Sequence, residues 1–193
     1  MCSPVGHSLA ALIVGTRAKS NPLTLGYFIF CVFSGCAADL DFLIGWYLGD
    51  LNGYHHLGSH SLFAAVLYGL MVYVVIRIFS RDKEVVKPSL AAWPLAGGLM
   101  YLSHVVLDWL AEDDSEPVGL QLLWPLSDQF MASPVFLFPR FIHEAQGADI
   151  VGMFVGLFNW HNFTAVMIET IIFLPLLLFI LWKKKHRYQG NYN

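Results

Sequence analysis

Histidine and aspartate, two residue types that bind divalent metals, occur at spacings that suit a shared ion. His104 and Asp108 lie four residues apart, so on a helix they share one face and can bind one cation. Asp39 and Asp41 flank a single residue, and a turn of the chain there can direct both carboxylates inward. The other candidates in this part of the chain are His7, His55, His56 and His60.

The chemistry of such a ligand set is that of a divalent metal centre. Imidazole together with carboxylate suits zinc, although manganese or iron can occupy the same kind of site. The candidates are numerous enough for one ion, or for two ions bridged by a carboxylate. Such a site lowers the pKa of bound water to about 7 and makes hydroxide available as a nucleophile.

The elements that must position these residues are too apolar for an ordinary soluble domain. Hydrophobic residues make up 56% of the 193 residues and charged residues 13%, whereas soluble domains carry about 25% charged residues. Four segments, 23–48, 61–79, 89–110 and 164–182, reach the roughly 20 apolar residues that a membrane helix needs. A shorter stretch, 8–16, is either a short span or a half-helix. We therefore expect one domain, 1–193, folded as an all-α integral membrane bundle of four to five transmembrane helices.

The basic residues assign the two faces of this bundle. Ten of the 11 Lys and Arg residues fall in alternate connections or in the C-terminal tail, all on one side. By the positive-inside rule that side is cytoplasmic, which makes the protein a multi-pass protein of the inner (plasma) membrane with a cytoplasmic C-terminus. The candidate ligands then share the opposite, periplasmic or extracellular face with the long outer connection 111–163. Ionisable residues gathered in this way indicate function.

Other function classes and other roles for these residues must be weighed. A net charge of −3 gives no nucleic-acid footprint, and three cysteines form neither a disulfide framework nor a Cys-x-x-Cys metal pair. A lone membrane histidine is commonly a helix–helix hydrogen-bond donor, and an aspartate pair can be an ion relay in a transporter. His55 and His56 are weaker candidates, because one can orient a ligand and the other can be solvated. His143 and His161 have no partner at ligand spacing, so we expect them outside the centre.

Four motifs, in order along residues 5–128, resemble those of the YdjM-like family of inner-membrane metal-dependent hydrolases. The family patterns are Gly/Thr-His-x-x, Pro-Asp-x-Asp, His-Arg-Gly-x-Thr-His-Ser, and His-x-x-x-Asp followed by Gly-x-x-Leu-Leu-Trp-Pro. Their counterparts here are Gly6–Leu9, Ala38–Asp41, His55–Ser61, and His104 to Asp108 followed by Gly119–Pro125. Each motif is short, and it is their common order that makes the resemblance specific.

This chain departs from the family pattern at several positions. Ala38 stands where the family has proline, His56 where it has arginine, and Leu57 where it has glycine. Ser59 replaces threonine and keeps the hydroxyl, and an acidic insertion, 112–116, lengthens the gap before the tryptophan–proline pair. The candidate ligands are all present. The sequence does not identify the group that the missing arginine would have bound, such as a substrate phosphate.

The resemblance implies a particular set of site residues. The family is distantly similar to zinc phospholipases C and related nucleases. By that similarity, His60, His104, Asp108 and one aspartate of the Asp39/Asp41 pair form one metal site. His7 contributes to a second site, which Asp108 bridges to the first. The nearest candidates for a third ion, His143 and Glu144, are poorly spaced. The implied metal ligands are His7, Asp39, Asp41, His60, His104 and Asp108, and the implied catalytic residues are Asp39, Asp41 and His55.

The function expected from these implications is hydrolysis of a phosphoester in a membrane lipid or lipid-linked substrate by metal-activated water. The alternative is a membrane metal or ion transporter or sensor without hydrolytic chemistry, which predicts a polar path to the cytoplasmic face. The inner halves of the long helices carry almost no ionisable residues, with Glu169 as the main exception, and this disfavours transport. A scaffold with a structural metal is a third class, in which four protein ligands leave no open position.

Overall fold

The computed structural model describes residues 1–18, 24–49, 54–79, 88–114, 116–142 and 155–189. Its long elements are helices: α1 (Pro4–Ala18), α2 (Leu25–Gly35), α3 (Asp41–Leu48), α4 (Leu62–Phe79), α5 (Pro88–Trp109) and α6 (Trp160–Gln189). Short 3₁₀ turns, Ala38–Leu40 and Gly58–His60, precede α3 and α4. In the described ranges β pairing is limited to two isolated bridges, so the predicted helical class is confirmed.

Length and apolar composition make α4 and α6 the clearest membrane-spanning helices. Both are long enough and apolar enough to cross a bilayer, and most side chains in these stretches face outward, where lipid would contact them. They correspond to the expected spans 61–79 and 164–182. Helices α2 and α3 qualify only as a bent pair, so the described residues hold two or three candidate spans. The four to five spans expected from the sequence are not confirmed.

The segment 23–48 is not the single helix that its hydropathy indicates. Helix α2 ends at Gly35, and the chain bends by 66° before α3 begins. Residues two apart on an α-helix point about 200° apart, so an unbroken helix cannot turn both Asp39 and Asp41 towards one site. The bend and the 3₁₀ turn after it bring both carboxylates to the same histidine, His60.

Helix α1 occupies the centre of the bundle, although its apolar stretch is the shortest. It packs against α2, α5 and α6. Its 15 residues extend about 22 Å, less than the roughly 30 Å hydrocarbon core of a bilayer. Close packing against α2 depends on Gly35, because a Cβ there would lie 2.5 Å from Ala11 Cβ and 2.8 Å from the His7 carbonyl oxygen.

The candidate ligands collect at one end of the bundle. Helices α1 and α4 begin at this end, and α5 finishes there. His7 therefore lies in the first turn of α1, His60 directly before α4, and His104 near the end of α5. The topology alone places three separate stretches of chain at one site.

The connection that follows α5 folds back over this end of the bundle. The Leu62 N–H donates to the Leu122 carbonyl oxygen over 3.0 Å, which fixes the connection to the start of α4. The Trp124 ring packs on Gly58 so closely that a Cβ at residue 58 would lie 2.8 Å from it. Two of the motifs noted in the sequence are therefore in direct contact, and the connection forms a cover over the ligand-bearing end.

Candidate metal centre

Four side chains from three elements converge at the ligand-bearing end. They are Asp39, His60, His104 and Asp108; their donor atoms lie within 4.8 Å of one another, and the group could hold a metal ion. His104 Nε2 is 3.0 Å from Asp108 Oδ2 and 3.3 Å from Asp39 Oδ1. His60 Nε2 is 3.4 Å and 3.8 Å from the same two oxygens and 3.1 Å from His104 Nε2. We call these four residues the four-residue group.

Contacts on the far side of each ring determine what the two imidazoles present to this group. His104 Nδ1 donates to the Gly35 carbonyl oxygen over 2.8 Å, and His60 Nδ1 lies 3.2 Å from Asp41 Oδ2. Because carbonyl and ionised carboxylate oxygens only accept, both Nδ1 atoms carry a proton, and in the neutral form of each ring Nε2 presents a lone pair. Two lone pairs at 3.1 Å, beside two carboxylates, repel one another unless a cation lies between them.

Burial and spacing in the four-residue group suit a bound divalent metal ion. The side chains of His60, His104 and Asp108 are fully buried, and that of Asp39 is 17% exposed. Asp39 Oδ1 and Asp108 Oδ2 are buried without a hydrogen-bond partner, which is strongly unfavourable for an uncompensated carboxylate. Ligands about 2.0–2.1 Å from a tetrahedral zinc ion lie about 3.3 Å from one another. The separations of 3.0 to 3.8 Å given above are close to that spacing.

Asp41 lies outside the four-residue group, directly behind it. Its Oδ2 accepts the Ser59 hydroxyl over 2.6 Å and faces His60, while its Oδ1 is 3.0 Å from His55 Nδ1. A carboxylate in this position orients a ligand ring and raises its basicity. The structure therefore divides the aspartate pair: Asp39 faces the group, and Asp41 orients one of its histidines.

His7 lies beside the four-residue group and is not one of its members. Its ring stacks on His104 with the centroids 3.7 Å apart, and its Nε2 is 3.2 Å from Asp108 Oδ1. The side chain is fully buried, and neither ring nitrogen has a hydrogen-bond partner. His7 thus packs against two members of the group through one ring face and one edge.

His55 and His56 lie on the other side of His60. With it they form a second group whose donor atoms also lie within 4.8 Å of one another. His56 has a φ of 66°, which non-glycine residues rarely adopt. Burial, followed by the two neighbouring histidines, lowers the pKa of His56 well below its usual range. The ring is therefore neutral and available as a ligand.

Glu169 does not lie where the sequence pattern predicts, because it accepts hydrogen bonds from an N-terminal residue. It was expected in the inner half of the last span, yet it is fully buried against the start of α1. The Ser3 backbone N–H donates to it over 2.9 Å, and the Ser3 hydroxyl donates as well. The preceding Cys2 N–H donates to Asp108 Oδ1 over 2.7 Å. The N-terminal residues thus connect α6 to a member of the four-residue group.

The remaining histidines of the outer connection lie apart from both groups or outside the described residues. His161 Nε2 donates to the Arg140 carbonyl oxygen over 2.8 Å at an exposed position. His143 and Glu144, the weak candidates for a third ion, lie outside the described residues.

Gly35→Ala is expected to disturb both the packing of α1 on α2 and the site. The added methyl group would meet Ala11 Cβ and the His7 carbonyl oxygen, neither of which is a flexible side-chain end, so the helices must separate. Overpacking of this kind costs about 1–3 kcal/mol, and here it also moves the carbonyl that accepts from His104. Thermal unfolding in detergent should give a lower Tm. Gly26→Ala, whose methyl meets nothing within 4 Å, is the control, and an equal Tm for both variants contradicts the prediction.

Comparison with known proteins agrees with the membrane setting. The chain matches a family model described as YdjM inner membrane protein over residues 1–187. No curated protein and no solved structure is significantly similar to the chain. The matched range includes every residue of both histidine-containing groups.

Proposed function

The chain belongs to the YdjM inner membrane protein family, and from this premise we propose that it is a membrane-bound metal-dependent hydrolase. Its substrate is a phosphoester in a lipid or lipid-linked molecule. The observation that carries the proposal is the convergence of two imidazole nitrogens and two carboxylate oxygens in the four-residue group. A divalent cation, zinc before manganese or iron, satisfies all four donors at once.

Differences in exposure suggest how the roles are divided within the proposed site. Asp39 is the one partly exposed member of the four-residue group and marks the side from which water and substrate arrive. A bound zinc ion lowers the pKa of its water to about 7 and polarises a phosphoryl oxygen. Asp39, whose side chain is partly exposed, is the group that accepts the proton of the attacking water, while Asp41 orients His55 and His60 from behind the site.

The surface around the site supports a lipid substrate. Trp side chains favour the headgroup region of a bilayer, and exposed apolar side chains beside them insert at the boundary between headgroups and acyl chains, next to the lipid phosphoester. The cover over the ligand-bearing end carries exposed apolar side chains, among them Leu126, which is 92% exposed. Others on the cover and at the start of α6 are Leu123, Val135, Phe136, Leu137, Phe158 and Trp160.

The interior beneath the site disfavours transport as the alternative function. A path for metal ions or protons needs polar groups that continue towards the basic end of the bundle. Among the described residues, every buried histidine and carboxylate lies at or near the ligand-bearing end, and the interior beneath them is an apolar cluster from α1, α2, α5 and α6. Its members are Ala11, Leu12, Tyr27, Cys31, Ala96, Met100 and Leu177.

The basic end of the bundle gives the proposed orientation. Arg17 in the last turn of α1 and Arg77 in the last turn of α4 lie at the end opposite the site. Lys184 Nζ donates to the Thr16 carbonyl oxygen over 3.2 Å, so the basic tail of α6 meets the same end. With this end in the cytoplasm, the C-terminus is cytoplasmic and the site faces the periplasm or the exterior.

Metal content and lipid turnover, measured on the same samples, test the proposal. The full chain in lipid nanodiscs is stripped with a chelator, reloaded with zinc, and offered phosphatidic acid, phosphatidylglycerol and an isoprenoid diphosphate. We expect turnover of one of these classes only in the zinc-loaded protein. His104→Ala should lower turnover by more than about 100-fold, since residues that only orient a ligand already contribute about 10–100-fold.

The matched control is His161→Ala, which removes a histidine that lies outside both groups. It should retain both zinc and turnover. Zinc-free protein that hydrolyses lipid at the wild-type rate would reject the proposal, as would a His104→Ala variant with unchanged turnover.

A further inference from the structure

The second group of ligand atoms is built from His55, His56 and His60, which we call the three-histidine cluster. All three side chains are buried, and their donor atoms lie within 4.8 Å of one another. The ring centroids of His55 and His56 are 4.1 Å apart, and those of His56 and His60 are 5.2 Å apart. We propose that this cluster binds a second divalent transition-metal ion, beside the one held by the four-residue group. The proposal concerns binding and goes beyond the hydrolytic function proposed above.

A single carboxylate orients one ring of each group. Asp41 Oδ1 is 3.0 Å from His55 Nδ1, and Asp41 Oδ2 is 3.2 Å from His60 Nδ1. Because an ionised carboxylate only accepts, both Nδ1 protons point at Asp41, and in the neutral rings both Nε2 atoms present lone pairs on the side away from it. The arrangement that prepares His60 as a ligand of the four-residue group thus prepares His55 as a ligand of the cluster.

The other ring nitrogen of His55 meets a second electron-pair donor. His55 Nε2 lies 3.1 Å from the Met1 sulfur atom. A thioether is a weak acceptor and a soft metal ligand, and it has no proton to donate to the lone pair. Two electron-pair donors at this distance repel each other, as the two Nε2 atoms of the four-residue group do in their neutral rings. A cation at this position satisfies both.

His56 supplies the independent observation. Its Nε2 is buried without a hydrogen-bond partner, and the side chain is only 10% exposed. Its Nδ1 lies 4.0 Å from Asp113 Oδ2. The residue also has a φ of 66°, a left-handed backbone conformation that is unfavourable for a non-glycine residue. A buried ring nitrogen without a hydrogen-bond partner, in a residue with an unfavourable backbone conformation, is typical of a metal ligand.

The chemistry of the cluster limits the ion and its affinity. Imidazole donors favour zinc, cobalt, nickel and copper over magnesium and calcium, which prefer oxygen. His60 Nδ1 faces Asp41 and its Nε2 faces the four-residue group, so the second ion is held by His55 and His56 with the Met1 sulfur beside them. It should therefore bind more weakly than the first ion and fill its position afterwards.

Metal stoichiometry tests this inference without any measurement of turnover. The full chain in detergent is stripped of metal and titrated with Co²⁺, whose visible absorption reports coordination, and bound cobalt and zinc are counted by mass spectrometry. We expect two equivalents for the wild type. His56→Asn should lose the weaker equivalent and keep the tighter one, and asparagine tolerates a φ of 66°. His104→Ala should show the reverse pattern.

The control is His186→Asn, a histidine of the C-terminal tail that packs on Trp182 and should leave both equivalents in place. A single equivalent in the wild type overturns the inference, and so does the loss of both ions in folded His56→Asn. If that variant does not fold, the wild-type count and the residual ion in His104→Ala decide. Two ions without lipid turnover would reject the hydrolase and leave this inference standing, and one ion with full turnover would do the opposite.

Discussion

Asp108→Asn is expected to weaken zinc binding by more than about 100-fold, beyond the range of residues that only orient a ligand. Asp108 Oδ2 lies 3.0 Å from His104 Nε2 and 3.4 Å from His60 Nε2. Its Oδ1 accepts the Cys2 N–H over 2.7 Å. Asparagine keeps the shape of the side chain but has no charge and only one acceptor oxygen. It therefore cannot both bind the metal ion and accept the Cys2 N–H. Calorimetric titration of stripped protein with zinc measures the loss.

The stability of the same variant separates metal loss from misfolding. At a zinc concentration 100-fold above Kd, a bound ion stabilises the folded state by about 2.7 kcal/mol, or roughly 5–10 °C in Tm for a chain of this size. Asp108→Asn should lose this shift. Without metal, Asp108→Asn should still unfold in one cooperative transition, which separates loss of the ion from loss of the fold. Asp128→Asn, at an exposed position, should keep the shift. A full zinc-induced shift in Asp108→Asn contradicts the assignment.

The pairing of His104 with Asp108 is the part of the site that helix periodicity predicts. Both residues lie in one continuous helix, α5, and the spacing of four residues brings their closest atoms to 3.0 Å. The meeting of His7 and His60 with this pair follows from topology, since helix ends that reach the same membrane face must be neighbours. These features depend only on helix geometry and on the length of apolar segments.

The division between Asp39 and Asp41 could not be predicted in the same way. It depends on the break after α2, and the apolar composition continues on both sides of that break. Gly35 lies at the break, where α1 comes too close for any side chain, which is a tertiary cause that hydropathy does not contain. The contact of Glu169 with Ser3 joins residues 166 positions apart, so no local pattern could reveal it.

Asp41→Asn is expected to weaken metal binding at both groups together, by about 10–100-fold each. The wild-type carboxylate faces the Nδ1 atoms of His55 and His60 with one oxygen each. Asparagine replaces one of these oxygens with an amide NH₂, which cannot accept a proton from the ring that it faces. That ring must turn or change its tautomer, and it then withdraws its Nε2 lone pair. The ring on the other side keeps a hydrogen bond to a neutral amide, which orients it less strongly than a carboxylate. Cobalt titration should show both binding phases displaced to higher concentration.

Ser59→Ala is the control that separates the charge of Asp41 from its hydrogen bonding. The Ser59 hydroxyl donates to Asp41 Oδ2 over 2.6 Å, and without it the carboxylate keeps its charge and still faces both rings. Both affinities should then change far less than in Asp41→Asn. If Asp41→Asn displaces only the tighter phase, His55 does not take its orientation from Asp41, and the three-histidine cluster is not prepared for an ion in the way inferred above. If neither phase moves, the role of Asp41 behind His60 is wrong as well, because a ligand ring that has lost its orienting carboxylate cannot keep its full affinity.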